Sequence, residues 1–393
     1  MTNCCSQASS INSFKTTDTT RDAFQRLRVS NPFTLFDSQN RYDISDLFFS
    51  NVSGTGNVTY IANQSSVALN TGTSGTVIRQ TRNVFGYQPG KSLLSMTTFV
   101  LSPGDAVQRV GFFYDLNGLF IERSGGVTYF VKRNDGTDTK VAQADWNLDK
   151  LNGIGPSKLV LDITKVQILW IDLEWLGAGS VRFGFCINGE FVACHVMHHA
   201  NIIDAVYMTT AILPVRYEIT GTGNQTLKQI CSTVISEGGY EPRNPFIIQQ
   251  RGTTSADSVT LSNAGTVYPI ISLRLRPDRL YSLAVFKQAD IYVSSSSDGI
   301  AWYIIANSTL TDPVWTNHPV GAMTQYDISA TAMSGGRNVN GGYIVNHGTL
   351  QFDPLNATPI GQQNFGTSEI FTLAASGFSN NLKVAAKIGW YEI

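Results

Sequence analysis

The chain has 393 residues, of which 15% are charged and 42% hydrophobic, and its formal net charge at pH 7 is -1. This length suffices for two hydrophobic cores, and the near-neutral charge excludes an overall positive field that would hold nucleic-acid phosphates. No apolar run approaches the ~20 residues that span a bilayer, and the first ten residues resemble no secretory signal. We therefore expect synthesis in the cytoplasm and binding to neither nucleic acid nor membrane.

The N-terminal segment, residues 1–42, is polar and lacks the apolar alternation of a strand, so it is predicted to form an arm. Within it, TTRDAFQRLRVSNP predicts a short helix. Thr20 can cap this helix, and Pro32 ends it because proline disfavours helical conformation at Asn31. A helix this short is marginal in water. It must therefore pack on a partner, which is either its own chain or a neighbouring subunit.

Four side chains of this helix are predicted to make the contact. Phe24 and Leu27 share one face, and Arg21 and Arg28 border that face. Arginine and aromatic residues are enriched at subunit interfaces. We therefore predict that Arg21, Phe24, Leu27 and Arg28 attach the chain to another subunit.

Residues 43–240 contain period-two apolar runs separated by turn residues, which predicts antiparallel strands. Four residue pairs indicate hairpin turns: Asn117-Gly118, Gly125-Gly126, Asp135-Gly136 and Asn188-Gly189. One short helix is predicted at ADWNLDKL. This arrangement is typical of a two-sheet sandwich of the jelly-roll or concanavalin-like type.

The turn at residues 188–189 sets a register for the two cysteines around it. Cys186 is predicted opposite Phe191, and Cys194 opposite Phe183. The two sulfurs then point to opposite faces of the hairpin. The sequence therefore predicts free thiols.

A domain boundary is predicted in GGYEPRNPF, residues 238–246, where two prolines remove backbone donors. Residues 241–393 alternate again between turns and predict a second, smaller β-sandwich. Asp298-Gly299 indicates a hairpin, and SGGRNVNGG around Arg337 is typical of a turn or loop. The predicted fold class is all-β, with an arm followed by two sandwiches.

The segment CHVMHH offers three imidazoles and a thiol as candidate metal ligands. On a strand, His195 and His199 share one face but lie ~13 Å apart, while Cys194 and His198 lie on the other face. One zinc ion, with bonds of ~2 Å, cannot bridge that distance. We predict neither a metal site nor a cofactor.

Asp172 and Glu174, in WIDLEWLG, form the second candidate site, because two carboxylates two residues apart on a strand lie ~6.6 Å apart. Retaining glycosidases hold two carboxyl groups ~5 Å apart. However, the Glu-x-Asp-x-x-Glu run of concanavalin-like hydrolases is incomplete here. We therefore predict no catalytic residues and no enzyme activity.

Several segments together resemble virion structural proteins of tailed bacteriophages, especially those of aquatic and cyanobacterial hosts. The segments are RDAFQRLRVSNPFTLFDSQNRY near the start, GYQPGKSLL (residues 86–94), INGEFVACH, LPVRYEI (residues 213–219) and LKVAAKIGWYEI at the end. The resemblance implies location in the virion, other capsid or tail subunits as partners, and assembly as a homo-oligomer. It transfers no catalytic residues.

The resulting expectation is a non-enzymatic component of a virus particle, placed on the capsid as a decoration, minor capsid or vertex protein and attached through the arm. The alternative is a tail or fibre subunit whose first sandwich binds a host surface glycan, which rests on fold analogy and requires exposed aromatic side chains along a groove. A glycoside hydrolase is a third and weaker alternative.

Overall fold

A computed structural model describes residues 30–240, 248–254, 257–294, 297–319, 321–345, 347–351 and 359–392. Within these ranges the chain consists of β-strands and connecting segments, with two short 3-10 turns at Ala62–Gln64 and Gln143–Asp145. The all-β prediction is confirmed. The same ranges contain no helix with the length and apolar character of a membrane span.

Two groups of strands follow each other along the chain. The first group comprises β1 (Phe33–Gln39), β2 (Phe48–Gly54), β3 (Asn57–Ile61), β4 (Ser66–Asn70), β5 (Ser74–Thr81), β6 (Phe85–Gly86), β7 (Leu93–Val100), β8 (Val107–Phe113), β9 (Gly118–Ser124), β10 (Val127–Asn134), β11 (Thr137–Ala142), β12 (Gln167–Leu173), β13 (Val181–Ile187), β14 (Glu190–Met197), β15 (Ile212–Leu213), β16 (Val215–Thr222) and β17 (Thr226–Ser236). The second group comprises β18 (Ile248–Gly252), β19 (Val259–Leu261), β20 (Tyr268–Leu275), β21 (Ala284–Val293), β22 (Gly299–Ala306), β23 (Thr309–Thr311), β24 (Thr316–Asn317), β25 (Thr324–Asp327), β26 (Ala332–Ser334), β27 (Arg337–Val345), β28 (His347–Gln351), β29 (Gln362–Asn364), β30 (Thr367–Ser368), β31 (Ile370–Gly377) and β32 (Leu382–Glu392).

The first sandwich packs two antiparallel sheets face to face. One sheet has the order β14-β13-β12-β7-β17-β4-β3, with β1 also paired to β17, and the other has the order β11-β10-β9-β8-β16-β5-β2. Alternate apolar residues of both sheets meet in one core. Phe130 of one sheet stacks on Phe183 of the other at 4.8 Å between ring centroids, and Trp146 stacks on Phe130 at 4.1 Å.

The predicted hairpins of the first sandwich are confirmed as pairs of neighbouring strands. The turn pairs at 125–126, 135–136 and 188–189 have positive φ at both positions, as two-residue turns require. The hairpin at Asn117-Gly118 uses a longer turn, because Gly118 is already the first residue of β9 and pairs with Phe113. There the N–H of Tyr114 donates to the carbonyl of Asn117 at 2.8 Å.

The predicted arm is too long at its C-terminal end. Residues 33–39 form β1, which pairs with β17 of the same chain, from Phe33 opposite Ser236 to Gln39 opposite Cys231. Phe36 of this strand is buried in the core of the first sandwich. This stretch therefore joins its own body. The predicted attachment residues Arg21, Phe24, Leu27 and Arg28 lie outside the described residues.

The second sandwich has a sheet of order β18-β32-β21-β28, with β19 also on β32, and a sheet of order β24-β25-β20-β31-β22-β27. Phe286 and Phe371 stack across the two sheets at 5.8 Å, and Trp390 is fully buried in the same core. The predicted boundary near residue 240 adjoins residues 241–247, which lie outside the described residues.

Two expectations for the second sandwich were wrong. The strands on either side of Asp298-Gly299 form no hairpin, because β21 and β22 belong to different sheets. The segment around Arg337 is not a loop, because β27 begins at that residue. The turn glycines that suggested a loop, Gly335 and Gly336, have positive φ and lie just before the strand.

The two sandwiches contact each other through aromatic stacking and backbone hydrogen bonds. Tyr114 and Tyr281 stack at 3.9 Å between ring centroids. The Arg82 guanidinium donates to the carbonyl of Gln363 at 2.6 Å, and the carbonyl of Arg82 accepts from the N–H of Gln362 at 2.8 Å.

Candidate functional site

The hairpin of β13 and β14 places the two predicted thiols. Cys186 pairs with Phe191 as predicted, but Phe183 pairs with His195 and not with Cys194. Cys194 is the additional residue of a β-bulge between these pairs. Both thiols are free. Burial raises the pKa of Cys194 to about 12, so this thiol has little nucleophilic character near neutral pH.

A loop covers the open edge of β14 beside the bulge. The N–H groups of Leu148 and Asp149 donate to the Cys194 carbonyl at 3.0 and 3.1 Å. The side chain of Asn147 both donates to the Val196 carbonyl and accepts from its N–H, at 2.9 Å each. These contacts replace the predicted helix at ADWNLDKL by one 3-10 turn, because the short polar side chains bond to backbone groups instead.

The histidines that follow the bulge do not converge. β14 ends at Met197, so His198 and His199 lie beyond the strand, and the predicted sharing of strand faces by four ligands does not occur. The Nδ1 atom of buried His195 accepts from the N–H of Asn147 at 3.2 Å. In the described ranges no three metal-ligating side chains form a group.

His199 is held between groups of the first sandwich. Its Nδ1 lies 2.7 Å from the Gly179 carbonyl and donates to it, and its Nε2 lies 3.3 Å from the Lys132 ammonium. The imidazole ring stacks on Tyr207 at 4.1 Å. Burial, with the Lys132 charge, lowers the pKa of His199 below its ordinary value. The neutral ring therefore serves packing and hydrogen bonding.

The two candidate carboxylates of β12 have different environments. Asp172 is buried and accepts a hydrogen bond from Arg182, the residue opposite it on β13. Glu174 is exposed and lies beyond the strand, which ends at Leu173. The predicted pair on one strand face is therefore absent. Burial raises the pKa of Asp172 although the charge of Arg182 opposes this shift.

The structure reveals a larger charged group on the outer face of the other sheet, which we call the ionic ladder: Lys140, Glu122, Arg109, Glu218, Arg216 and Asp115. Arg109 lies between Glu122 and Glu218 on three neighbouring strands, with nitrogen–oxygen distances of 2.7 and 2.6 Å. Lys140 meets the second oxygen of Glu122 at 2.6 Å. Glu122 thus contacts two cations, one through each carboxylate oxygen.

The other end of the ladder is closed by Arg216. This residue meets Glu218 at 2.9 Å and Asp115 at 2.8 Å. Its guanidinium also lies over the rings of Phe113 and Phe365, at 5.4 and 5.3 Å from their centroids. Since Phe365 belongs to the second sandwich, the ladder also contributes to the contact between the two bodies.

The ladder holds the two glutamates against cations of neighbouring strands. Although burial acts in the opposite direction, Glu218 and Glu122 together raise the pKa of Arg109. Both carboxylates therefore face a permanent cation. The sequence signal was the alternation of charged and apolar residues in β8, β9 and β16, but their partners depend on the strand order, which the sequence does not reveal.

The aromatic residues on this face do not form the exposed groove that glycan binding by the first sandwich requires. Phe113 and Phe120 are fully buried, and the guanidinium of Arg133 lies 5.0 Å from the Phe120 centroid. Glycan binding by the first sandwich stays a prediction.

No protein-family model matches the sequence, and no curated protein matches it. Among solved structures, the chain is similar to an endo-1,3-beta-glucanase from Streptomyces sioyaensis, with TM-score 0.38 and 10% identity over 55% of this chain and 99% of the glucanase chain. It is also similar to the CBM2 module of the evolved Dit of Lactobacillus casei BL23 phage J-1, with TM-score 0.37 and 6% identity over 55% of this chain and 100% of the module.

A third similar structure is a conserved carbohydrate esterase from Shiga toxin-encoding bacteriophage phi24B. Its TM-score is 0.32 and its identity 11%, over 53% of this chain and 100% of the esterase chain. At such identities and TM-scores, these similarities assign no activity, ligand or partner to this chain.

Proposed function

We propose that this chain is a non-enzymatic structural component of a tailed-bacteriophage particle. It lies on the outside of the capsid as a decoration, minor capsid or vertex protein, and the segment before Ser30 attaches it. The partners are other virion subunits and further copies of the same chain. A tail or fibre subunit is the alternative placement.

The observation that carries this proposal is the position of the segments that resemble phage virion proteins: two of them lie in the strands and cores of the two sandwiches. In LKVAAKIGWYEI, the residues Leu382–Glu392 form β32, where Trp390 is buried and donates through Nε1–H to Glu392 at 3.0 Å. Glu392 also accepts from the N–H of Met323 at 2.7 Å and the hydroxyl of Thr324 at 2.6 Å. These hydrogen bonds connect β32 with the start of β25 in the other sheet of the second sandwich. The segment that resembles phage proteins therefore contributes to the structure of this body.

The same holds for LPVRYEI, whose last five residues begin β16 of the first sandwich. Arg216 and Glu218 of this segment belong to the ionic ladder, and Tyr217 between them is fully buried. Two of the candidate chemical groups, Asp172 and His199, are engaged in internal hydrogen bonds. This pattern supports a body built for stability.

Incorporation into particles tests the proposal. We expect the double variant Phe24→Ala with Leu27→Ala to give a soluble and folded protein that purified particles lack, because truncating a buried Phe costs ~3–5 kcal/mol of contact. Mass spectrometry of purified particles measures the occupancy. The matched control, Ile154→Ala with Val160→Ala, removes two exposed apolar side chains and should incorporate normally.

Two results would contradict the proposal. Wild-type particles that contain none of this chain would refute the virion assignment. A Phe24 and Leu27 variant that melts early yet incorporates at wild-type occupancy would show that these residues pack on their own body. A cryo-EM map of the particle distinguishes the capsid from the tail.

A further inference from the structure

A shallow trough lies on the outer face of the second sandwich, across β22 and β27, the edge strand of its sheet. Its volume is about 290 Å³, close to the lower limit of ~300 Å³ for small-molecule pockets. The side chains and backbone that line it include Ala301, Tyr303, Asn338, Asn340, Gly341 and Tyr343. The ionic ladder lies on the other sandwich, so the trough is a separate feature.

The trough arises from an alternation of large and small residues on the two strands. Tyr303 pairs with Gly341, and Tyr343 pairs with Ala301, so each ring stands opposite a residue with little or no side chain. Trp302, between Ala301 and Tyr303, points into the core, so its two neighbours face outward. The two rings therefore stand diagonally across a low floor.

A β-bulge brings amide groups to one end of the trough. Ile304 pairs with Asn340 and Ile305 with Asn338, which leaves Val339 as the additional residue. The Oδ1 atom of Asn340 accepts from the N–H of Gly341 at 2.8 Å. This bond fixes the Asn340 amide at the edge of the floor.

The rim of the trough is aromatic and open to solvent. Tyr343 is 78% exposed and Phe378 is 62% exposed, and their rings stack at 5.9 Å between centroids with an interplanar angle of 28°. Phe378 lies against Gly299, the first residue of β22. An aromatic pair left in water on a rigid sheet is typical of a binding surface.

From this chemistry we propose that the trough binds a neutral carbohydrate. A pyranose ring presents a face of C–H groups that packs on an aromatic ring, and its hydroxyl groups both donate and accept hydrogen bonds, as carboxamides do. The described residues that line the trough include no Asp, Glu, Lys, Arg or His. An acidic sugar, a phosphate or a carboxylate would instead call for Arg or Lys.

This binding site does not depend on the position of the chain in a particle. It differs from the glycan site predicted for the first sandwich, because the residues that line it belong to β22 and β27 of the second sandwich. The competing occupant is an extended peptide that pairs with the edge strand β27. Such a peptide would depend on the strand backbone more than on the ring of Tyr343.

Affinity electrophoresis of the full-length protein tests the inference. The gels contain either a neutral polysaccharide, namely laminarin, mannan or dextran, or the acidic polysaccharide alginate. We expect retardation in at least one neutral gel. Tyr343→Ala should weaken the interaction about tenfold, the loss of roughly one aromatic contact. Tyr303→Ala should weaken it as well.

Tyr42→Ala is the matched control, because Tyr42 is highly exposed but lies in the first sandwich, and it should migrate like the wild type. Near-ultraviolet circular dichroism and Tm confirm that each variant is folded. Migration unaffected by all three neutral polysaccharides would overturn the inference, as would retardation in alginate alone. Retardation that persists unchanged in folded Tyr343→Ala and Tyr303→Ala would also overturn it. So would saturable binding of an extended peptide that blocks the trough while no sugar binds.

Discussion

The outer faces of two sheets, one in each sandwich, use polar and aromatic residues in opposite ways. On the first sandwich, charged residues form the ionic ladder, in which Glu122 is 1% exposed. On the second, the trough combines uncharged amides with aromatic rings that remain exposed. Both faces have outward-pointing side chains on neighbouring antiparallel strands. On the first surface the charged side chains are therefore paired with each other. On the second, the alternation of large and small residues leaves aromatic rings exposed to solvent.

The contrast between the two surfaces indicates that two similar sandwiches can use outward-facing residues for different purposes, stability in one and binding in the other. A buried ion-pair network is costly to interrupt, because each remaining charge stays in a poorly solvated site. An exposed aromatic ring on a sheet contributes little to folding, so it is available for a ligand. Four predictions test this division, ordered from the largest expected effect to the smallest.

Replacing Arg109 by Ala should have the largest effect on stability. Glu122 and Glu218 would lose the cation they share, and breaking a buried ion pair costs about 3–5 kcal/mol. Chemical denaturation monitored by tryptophan fluorescence measures this loss. The matched control is Arg276→Ala in the second sandwich, whose partner Asp278 is exposed, so that a loss of only about 0–1 kcal/mol is expected. Equal effects of the two changes would contradict the division.

Replacing Glu392 by Ala should destabilise the second sandwich by about 2–3 kcal/mol, because three hydrogen-bond donors would lose a charged acceptor. The donors are the N–H of Met323, the hydroxyl of Thr324 and the indole of Trp390. Differential scanning calorimetry provides the measurement. Glu392→Gln keeps one acceptor oxygen and should lose less. A Gln variant less stable than the Ala variant would argue against this explanation.

Acidification should destabilise the first sandwich by a smaller amount. Burial lowers the pKa of both His195 and His199 in the folded state. The unfolded chain therefore binds more protons between the folded and unfolded pKa values, and stability falls as pH decreases from about 7 through the ordinary histidine pKa of ~6.5. Denaturant unfolding at several pH values measures the slope. His199→Gln should reduce the slope, and a slope that this substitution leaves unchanged would contradict the explanation.

Replacing Tyr343 by Ala should have the smallest effect on folding. Its ring is largely exposed, and surface substitutions usually change stability by no more than ~0.5 kcal/mol. A thermal melt beside the wild type checks this expectation. A large loss of Tm would assign Tyr343 and Phe378 to the packing of the second sandwich and would remove the separation between the two faces.

Features set by neighbouring residues were predictable from sequence. Asn188-Gly189 specified its turn and the pairing of Cys186 with Phe191, because positive φ at both positions is a local requirement. The bulge at Cys194 was not predictable from the hairpin residues, and it contacts a loop around Asn147 that is distant in sequence. Local signals also failed at Asp298-Gly299, where the next strand crosses to the other sheet.

Neither the ionic ladder nor the trough could be predicted from the sequence, because both depend on the pairing of strands that are far apart along the chain. The partners Glu122 and Glu218 come from strands separated by β8, and the alternation of each strand indicates only which residues point outward. Likewise, Tyr303 and Tyr343 form one trough only when β22 and β27 are paired in this register. A turn motif determines the conformation of its own two residues, whereas the order of strands in a sheet follows from the packing of the whole sandwich.

The pairing of β1 with β17 has a mechanical consequence. Phe33 pairs with Ser236 at the start of β1, so the chain enters the first sandwich at the same end from which it leaves toward residue 240. A force that separates the segment before Ser30 from the second sandwich would pull β1 away from β17 starting at this end. The hydrogen bonds between the two strands would then break one after another, and not all together. The stack of Phe33 on Tyr240, at 5.5 Å, would carry the load first, and buried Phe36 would be the next point of resistance.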